Sequence, residues 1–237
     1  MTTERWAHAV RHQLGLGRLL PLGGPHDGAW ISQEAAEAVL GRAAGELRGV
    51  RLDALRIALA DPDTADDPAV PPPPSALPPG PLRVTADFAT TASEPLPIRA
   101  ALVRTTLAAA ATELLGLALA EVDLRVTALL DEEPDPAPVR APEPPRAAEP
   151  DDADELRAAS AALMVPGVAH LTGGLGRAAV HITDLQEEGA LAHRHARVEI
   201  AVNANHRAMD VARAVRAAVA ESLPDHPTVA VLVTAVS

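Results

Sequence analysis

Nine histidines and thirty-two carboxylates give this 237-residue chain the raw material for acid–base or metal chemistry, so their spacing decides what they could do. The densest group is His193 and His195, with His181 and His206 within reach. An H-x-H spacing on a strand turns both imidazoles to one side, as a metal requires. On that strand, however, Val198, Ile200 and Val202 form the apolar side. The histidine pair therefore falls with Arg197 and Glu199 on the solvent face or in a loop, and no acidic third ligand accompanies it. No metal site is expected. The run Gly173–Gly176 (GGLG) has the composition of a phosphate loop. Such a loop must open onto a helix amino terminus, whose N–H groups and dipole face the anion. A strand follows here instead, and a hairpin turn is expected. There is no cysteine, which removes disulfides, thiolate metal sites and Cys nucleophiles. No nucleophile elbow and no His-Glu-x-x-His run appears, so no catalytic residue, cofactor or enzymatic activity is assigned.

The residues best suited to meeting a partner lie at the start. Trp6, Val10 and Leu14 fall four apart on a helix from about Thr3 to Leu14, with Arg5, Arg11 and His12 elsewhere. This stripe either docks a protein partner or packs onto its own first unit, filling an Ala-lined groove. Twelve residues with few bases make a poor membrane anchor.

Composition frames what positions these residues. Every basic residue is Arg, and two Trp and one Phe are the only aromatics. The core must be built from Val, Leu, Ile and Ala, which bury little area per residue. Two segments interrupt the apolar pattern. Residues 61–80 contain PAVPPPPSALPPG with four Asp and no base; residues 131–155 hold ten acids against Arg140 and Arg146, with seven prolines. Together they account for the whole net charge of −12, leaving the remaining chain neutral. Such stretches are expected to be extended, mobile and unburied. No apolar run approaches the ~20 residues of a membrane helix, and no signal-peptide pattern opens the chain. A soluble, cytoplasmic protein is expected.

On either side of the second acidic segment the same order recurs. In the first half, Ser32 caps a helix with Ala36, Val39, Leu40, Ala43, Ala44 and Leu47 on one face. Strand-like Val50–Ala60 follows, then the proline loop, then a strand alternating Leu82, Val84, Ala86 and Phe88. A long helix, 96–115, presents Val103, Leu107, Ala110, Ala111 and Leu114, and EVDLRVTAL closes the half as a strand. The second half has a helix from about Asp154 carrying Leu156, Ala159 and Leu163, a stop at VPGV, strands AAVHIT and ARVEIAV, a helix with Val211, Val215, Ala218, Val219 and Leu223 inward, and the strand TVAVLVTAV. The Arg213 and Arg216 side of that last helix reads as a solvated face. The pattern predicts an α+β fold of two tandem two-layer sandwiches, each helix-strand-strand-helix-strand on a three-stranded sheet. Its divisions are an amino-terminal helix and loop (1–27), a first domain (28–130) with the proline-rich loop 61–81, an acidic linker (131–153) and a second domain (154–237). With so much inward Ala, the halves are expected to pack on each other or on a second chain.

The order helix–PGV–strand–strand–helix–strand, with AALMVPGVAHL (161–171), VEIAVNANHRAMDVARAVRAAVAESL (198–223) and TVAVLVTAV (228–236), resembles the alkaline shock protein family, the Gls-type envelope stress proteins of Gram-positive bacteria. The first half carries the likeness through LRGV, LRVTADF and EVDLRVTAL, as a degenerate copy. The opening RHQLGLGRLLPLGGPHDGAW is similar to actinobacterial chains labelled nucleopolyhedrovirus-type. The resemblance implies a non-enzymatic cytoplasmic scaffold or adaptor that self-associates, or is held near the envelope by a protein partner without a membrane span of its own. The alternative is a KH-like RNA-binding module, whose helices and strands are arranged in a related way. That module clamps its backbone with a GXXG turn between two helices, absent from both halves, and needs a basic stripe that a neutral folded part does not offer.

Overall fold

The computed structural model describes residues 17–135, 139–175, 178–186 and 193–237. Trp6, Val10 and Leu14, the expected partner-binding stripe, lie outside them. The order of elements is β1 (Leu19–Pro21), β2 (Ala29–Ser32), α1 (Gln33–Gly45), β3 (Val50–Leu59), β4 (Leu82–Thr91), α2 (Leu96–Ala109), β5 (Leu119–Leu130), α3 (Ala153–Leu163), β6 (Val168–Leu171), β7 (Val180–Leu185), β8 (His193–Val202), α4 (Ala208–Ser222) and β9 (Thr228–Val236). The fold is α+β. A three-stranded sheet runs β3-β4-β5, and a larger one runs β1-β2-β9-β8-β6, with β7 also paired to β8.

The two halves are built alike. In each, an antiparallel pair (β3–β4, β7–β8) is followed by a helix and a strand parallel to the second member (β4–β5, β8–β9). The turn before each unit repeats bond for bond. Val50 N donates to Leu47 O at 3.3 Å and Val168 N to Val165 O at 3.2 Å; Thr91 N donates to Gly49 O at 2.9 Å and Asn203 N to Gly167 O at 2.8 Å. Gly49 and Gly167 both take positive φ, +70° and +96°, which a side chain would strain.

The structure corrects the expectation of three strands per sheet in the second half. Residues 1–27 were expected as helix and loop, yet Leu19–Pro21 is a strand. It pairs antiparallel with β2, and β2 lies parallel to β9, with Trp30 opposite Leu232. The reason lies in β9, eight of whose nine residues are buried, on both faces. A Val-rich strand without polar alternation needs neighbours on each side and cover above and below. The segment LLP…AWIS supplies the neighbour.

The proline loop supplies the cover, against the expectation that it buries nothing. Val70 is buried with Leu19, Trp30, Ala230 and Leu232 on the outer face of the larger sheet. Proline lacks an N–H, so few polar contacts fix the loop. Leu77 N donates to Leu19 O at 2.8 Å, Leu19 N to Ser75 O at 3.2 Å, and Trp30 Nε1 to Leu77 O at 3.1 Å. The acidic linker is partly docked too. Ala147 N donates to Leu171 O and Gly173 N to Pro145 O, so residues 145–148 run along the β6 edge and cover it.

The inner faces of both sheets and all four helices share one contiguous apolar cluster, from Leu20 and Val39 through Phe88 and Leu107 to Val198 and Val231. Cores that Ala makes thin are pooled. At the seam, the end of α2 widens into a π-turn (Ala110–Leu115) closed by Gly116. The wider turn shifts the helical register. Leu115 therefore points inward and Leu114, expected inside, is exposed.

Candidate functional site

α3 keeps Ala159 inward as the sequence reading expects but turns both of its expected inward leucines outward. Ala158, Ala159 and Ala162 face the core, while Leu156 and Leu163, expected among the inward residues, are exposed; Met164, its C-cap, is 83% exposed. The cause is the neighbour. α3 lies against α4, which presents Ala208, Val211, Ala212 and Val215, and small residues on both helices allow close approach. The large apolar side chains are left outside at positions i, i+7 and i+8, on one face of the helix. On α2, Ile98 and Leu102 make a second exposed apolar pair, four residues apart.

The outward row of β8 (His195, Arg197, Glu199) is not on a solvent face, contrary to the sequence reading. His195 is 7% exposed and Glu199 fully buried. Their opposite numbers on β9, Thr228, Ala230 and Leu232, lie on the face roofed by Trp30 and Val70. Glu199 sits where the chain that would be one continuous strand breaks into β6 and β7. Its N–H donates to Ala179 O at 2.8 Å and its carbonyl accepts from Thr172 N at 3.1 Å, so both segments meet at Glu199. Gly173, Gly174 and Leu175 of the glycine-rich turn lie beside it, and the Leu175 N–H donates to Glu199 Oε2 at 3.0 Å. The turn does hold an anion through its backbone amides, and the anion is the chain's own carboxylate. Arg197 Nε stands 3.8 Å from Glu199 Oε1 and makes no hydrogen bond. Burial pushes the Glu199 carboxyl up to about 7, against the opposing pull of the Leu175 and Gly174 amides and Arg197. Beside it, burial and then the charges of Arg197 and His193 push His195 down to about 4, while its Nδ1 shares a hydrogen bond with Thr228 Oγ1 at 2.9 Å.

A His kept neutral by the fold contributes stability that is lost as pH falls from 6.5, its ordinary value, toward 4. His195→Gln is therefore expected to flatten the acid limb of a pH series of urea melts between those values. An unchanged limb would show that His195 does not titrate there.

Among the described residues, no group of three or more His, Asp and Glu side chains converges as metal ligands would. His193 is exposed at the start of β8, and His181 lies 3.7 Å from Glu155 Oε1 at the sheet edge. The arginines of α4 read as a solvated face are instead clamps. Arg213 Nε donates to Asp27 Oδ1 at 2.7 Å, Arg216 donates to His26 O, and Arg207 Nε reaches Thr112 O at 3.0 Å. They tie α4 to the β1–β2 loop and to the end of α2. Burial alone would raise the Asp27 carboxyl. The Arg213 hydrogen bonds, the Gly24 N–H and the nearby Arg216 outweigh it and hold Asp27 below its ordinary value. No signal in the sequence marks these pairings, because the partners lie 186 and 190 residues apart.

No helix of the described residues is long and apolar enough to cross a membrane. Comparison with protein-family models and with curated proteins finds no match to this chain.

Proposed function

We propose that this protein is a non-enzymatic scaffold or adaptor, of the kind the likeness to alkaline shock proteins implies. It acts by self-association or by holding an envelope-proximal protein partner from the cytoplasmic side. The observation that supports this reading is the outward face of α3. Leu156, Leu163 and Met164 lie in water while alanines take the core side, an arrangement that costs burial within the chain and makes sense where the leucines meet another surface. Trp6, Val10 and Leu14 would add a second, separable contact.

The test is sedimentation velocity over a range of concentrations on the wild type, on Leu163→Asp with Met164→Asp, and on a chain lacking residues 1–16, which leaves β1 intact, alongside affinity capture from a native host with each. The wild type is expected to form a species heavier than the 24.5 kDa chain, or to capture a partner, and the double variant is expected to lose it. Both side chains are already exposed, so the melting temperature of the double variant should stay within a few degrees of the wild type. A wild-type monomer at every concentration, with capture indifferent to the double substitution, would remove the reading.

A further inference from the structure

At one equivalent position the two copies differ in both charge and size, and in the first copy that position lines a cleft. In the second copy Val211, in the first turn of α4, is buried against Gly167; a Cβ on that glycine would stand 2.6 Å from Val211 Cγ2. The matching bonds of Thr91 to Gly49 and Asn203 to Gly167 fix the alignment of the copies, and it sets Arg99 of α2 in the place of Val211. A core valine in one copy is thus an arginine in the other, with a side chain only 12% exposed.

Arg99 spends two of its five N–H groups within the chain. Nη1 donates to Arg48 O at 2.9 Å and Nη2 to Ser93 Oγ at 2.7 Å. Its Nε is buried and makes no hydrogen bond, although Glu94 Oε2 lies 3.2 Å away. Around it opens a cleft of about 510 Å³, a volume suited to a small molecule. The cleft lies at the carboxyl ends of the parallel strands β4 and β5, where α/β units hold their ligands. Its walls carry opposite charges. Arg48, beside the start of β3, and Arg99 form one side; Asp131 and Glu133, past the end of β5, form the other. The hydroxyls of Thr91, the last residue of β4, and Ser93, just past it, are 3.0 Å apart and line the cleft between them. Strands β3 and β5 are two spacings apart, about 10 Å.

We propose that this cleft binds a small amphoteric molecule of the basic amino-acid class, its carboxylate on Arg48 and Arg99 and its cationic end on Asp131 and Glu133. A guanidinium can take a carboxylate with two parallel N–H bonds, and the Thr91 and Ser93 hydroxyls are placed to accept or donate to the middle of the ligand. The separation of the walls selects a ligand whose charges sit at opposite ends of a short chain, which excludes simple anions and neutral amino acids.

Titration calorimetry on the full chain tests this with three probes. L-arginine carries both ends, agmatine lacks the carboxylate, and norvaline keeps the α-amino and carboxylate groups but lacks the side-chain guanidinium. L-arginine is expected to bind, with each truncated probe at least tenfold weaker. Arg99→Val, which copies the second repeat, is expected to keep or raise the thermal midpoint while losing at least tenfold in L-arginine affinity. Asp131→Asn with Glu133→Gln, at exposed positions, is expected to lose the preference for L-arginine over norvaline. Equal binding of all three probes, no L-arginine binding at millimolar concentration, or full affinity in the Asp131/Glu133 variant would overturn the proposal. An Arg99→Val chain whose midpoint collapses would make Arg99 a structural strut and overturn its role as a ligand-binding residue.

Discussion

Gly116→Ala is expected to cost about 2–4 kcal/mol of folding stability, an unusually large effect for one added methyl. Three segments meet at this glycine. It closes the π-turn at the end of α2 with φ of +86°, its carbonyl accepts from Gly23 N at 3.3 Å, and an added Cβ would stand 2.5 Å from Met209 Cβ at the start of α4. The left-handed backbone alone costs an L-residue about 1 kcal/mol. The clash is with another Cβ and cannot be relieved by a rotamer change, so the helices must separate and the shared cluster open. Gly45→Ala is the control. Gly45 lies in α1 without positive φ, and nothing stands within 4 Å of its Cβ position, so that substitution should gain about 0.5–1 kcal/mol. Urea unfolding at fixed pH measures both. A Gly116→Ala chain within about 0.5 kcal/mol of the wild type would mean that the copies touch at this seam without depending on it.

Glu199→Gln is expected to stabilise the protein at pH 8 by up to about 3 kcal/mol, the stability equivalent of its displaced titration. A carboxyl whose folded value is raised to about 7 from the ordinary 4.5 binds its proton more tightly in the folded chain. The wild type therefore loses stability as pH rises from 4.5 to 7, and the loss is complete above 7. Glutamine mimics the protonated acid and still accepts from Leu175 N. The gap between variant and wild type should close as the pH is lowered toward 4.5. His195 acts with the opposite sign between 4 and 6.5. In the wild type the two limbs offset each other from about 4.5 to 6.5, and each single substitution exposes the other limb. A Glu199→Gln curve parallel to that of the wild type from pH 5 to 8 would refute a titrating Glu199.

The layout of elements was legible in the sequence because it rests on local periodicity. The alternation of Leu82, Val84, Ala86 and Phe88, the valine stripe of α4 and the glycines at positions 49 and 167 each mark a strand, a helix or a stop within a few residues. What escaped the sequence depends on partners distant along the chain. Glu199 and His195 alternate with valines as solvent-facing residues do, and their burial depends on distant partners, Leu175 on Glu199 and Thr228 on His195. β6 was missed because four residues before a glycine run carry too little pattern. Leu114 was placed inside because a 3.6-residue period cannot foresee the π-turn that contains it. Leu156 and Leu163 were placed inside because hydrophobicity favours leucine over alanine there, whereas the packing of α3 on α4 rewards small size. Arg99 gave no signal at all, since its significance appears only when the two copies are superposed bond by bond.

The pairing of β2 with β9 also has a consequence for synthesis. Ser32 Oγ donates to Thr234 O, a contact closed across 202 residues. Until the last strand has left the ribosome, the edge of β2 that β9 will occupy has no mate, although α1 and the first sheet are already made. A nascent chain thus carries an open strand edge while the roughly 200 residues between β2 and β9 are made, a period when such edges recruit stray strands from other molecules. The proline-rich segment is translated soon after β1 and hydrogen-bonds to it through Ser75 and Leu77. It is placed to guard the hairpin's other margin during that wait.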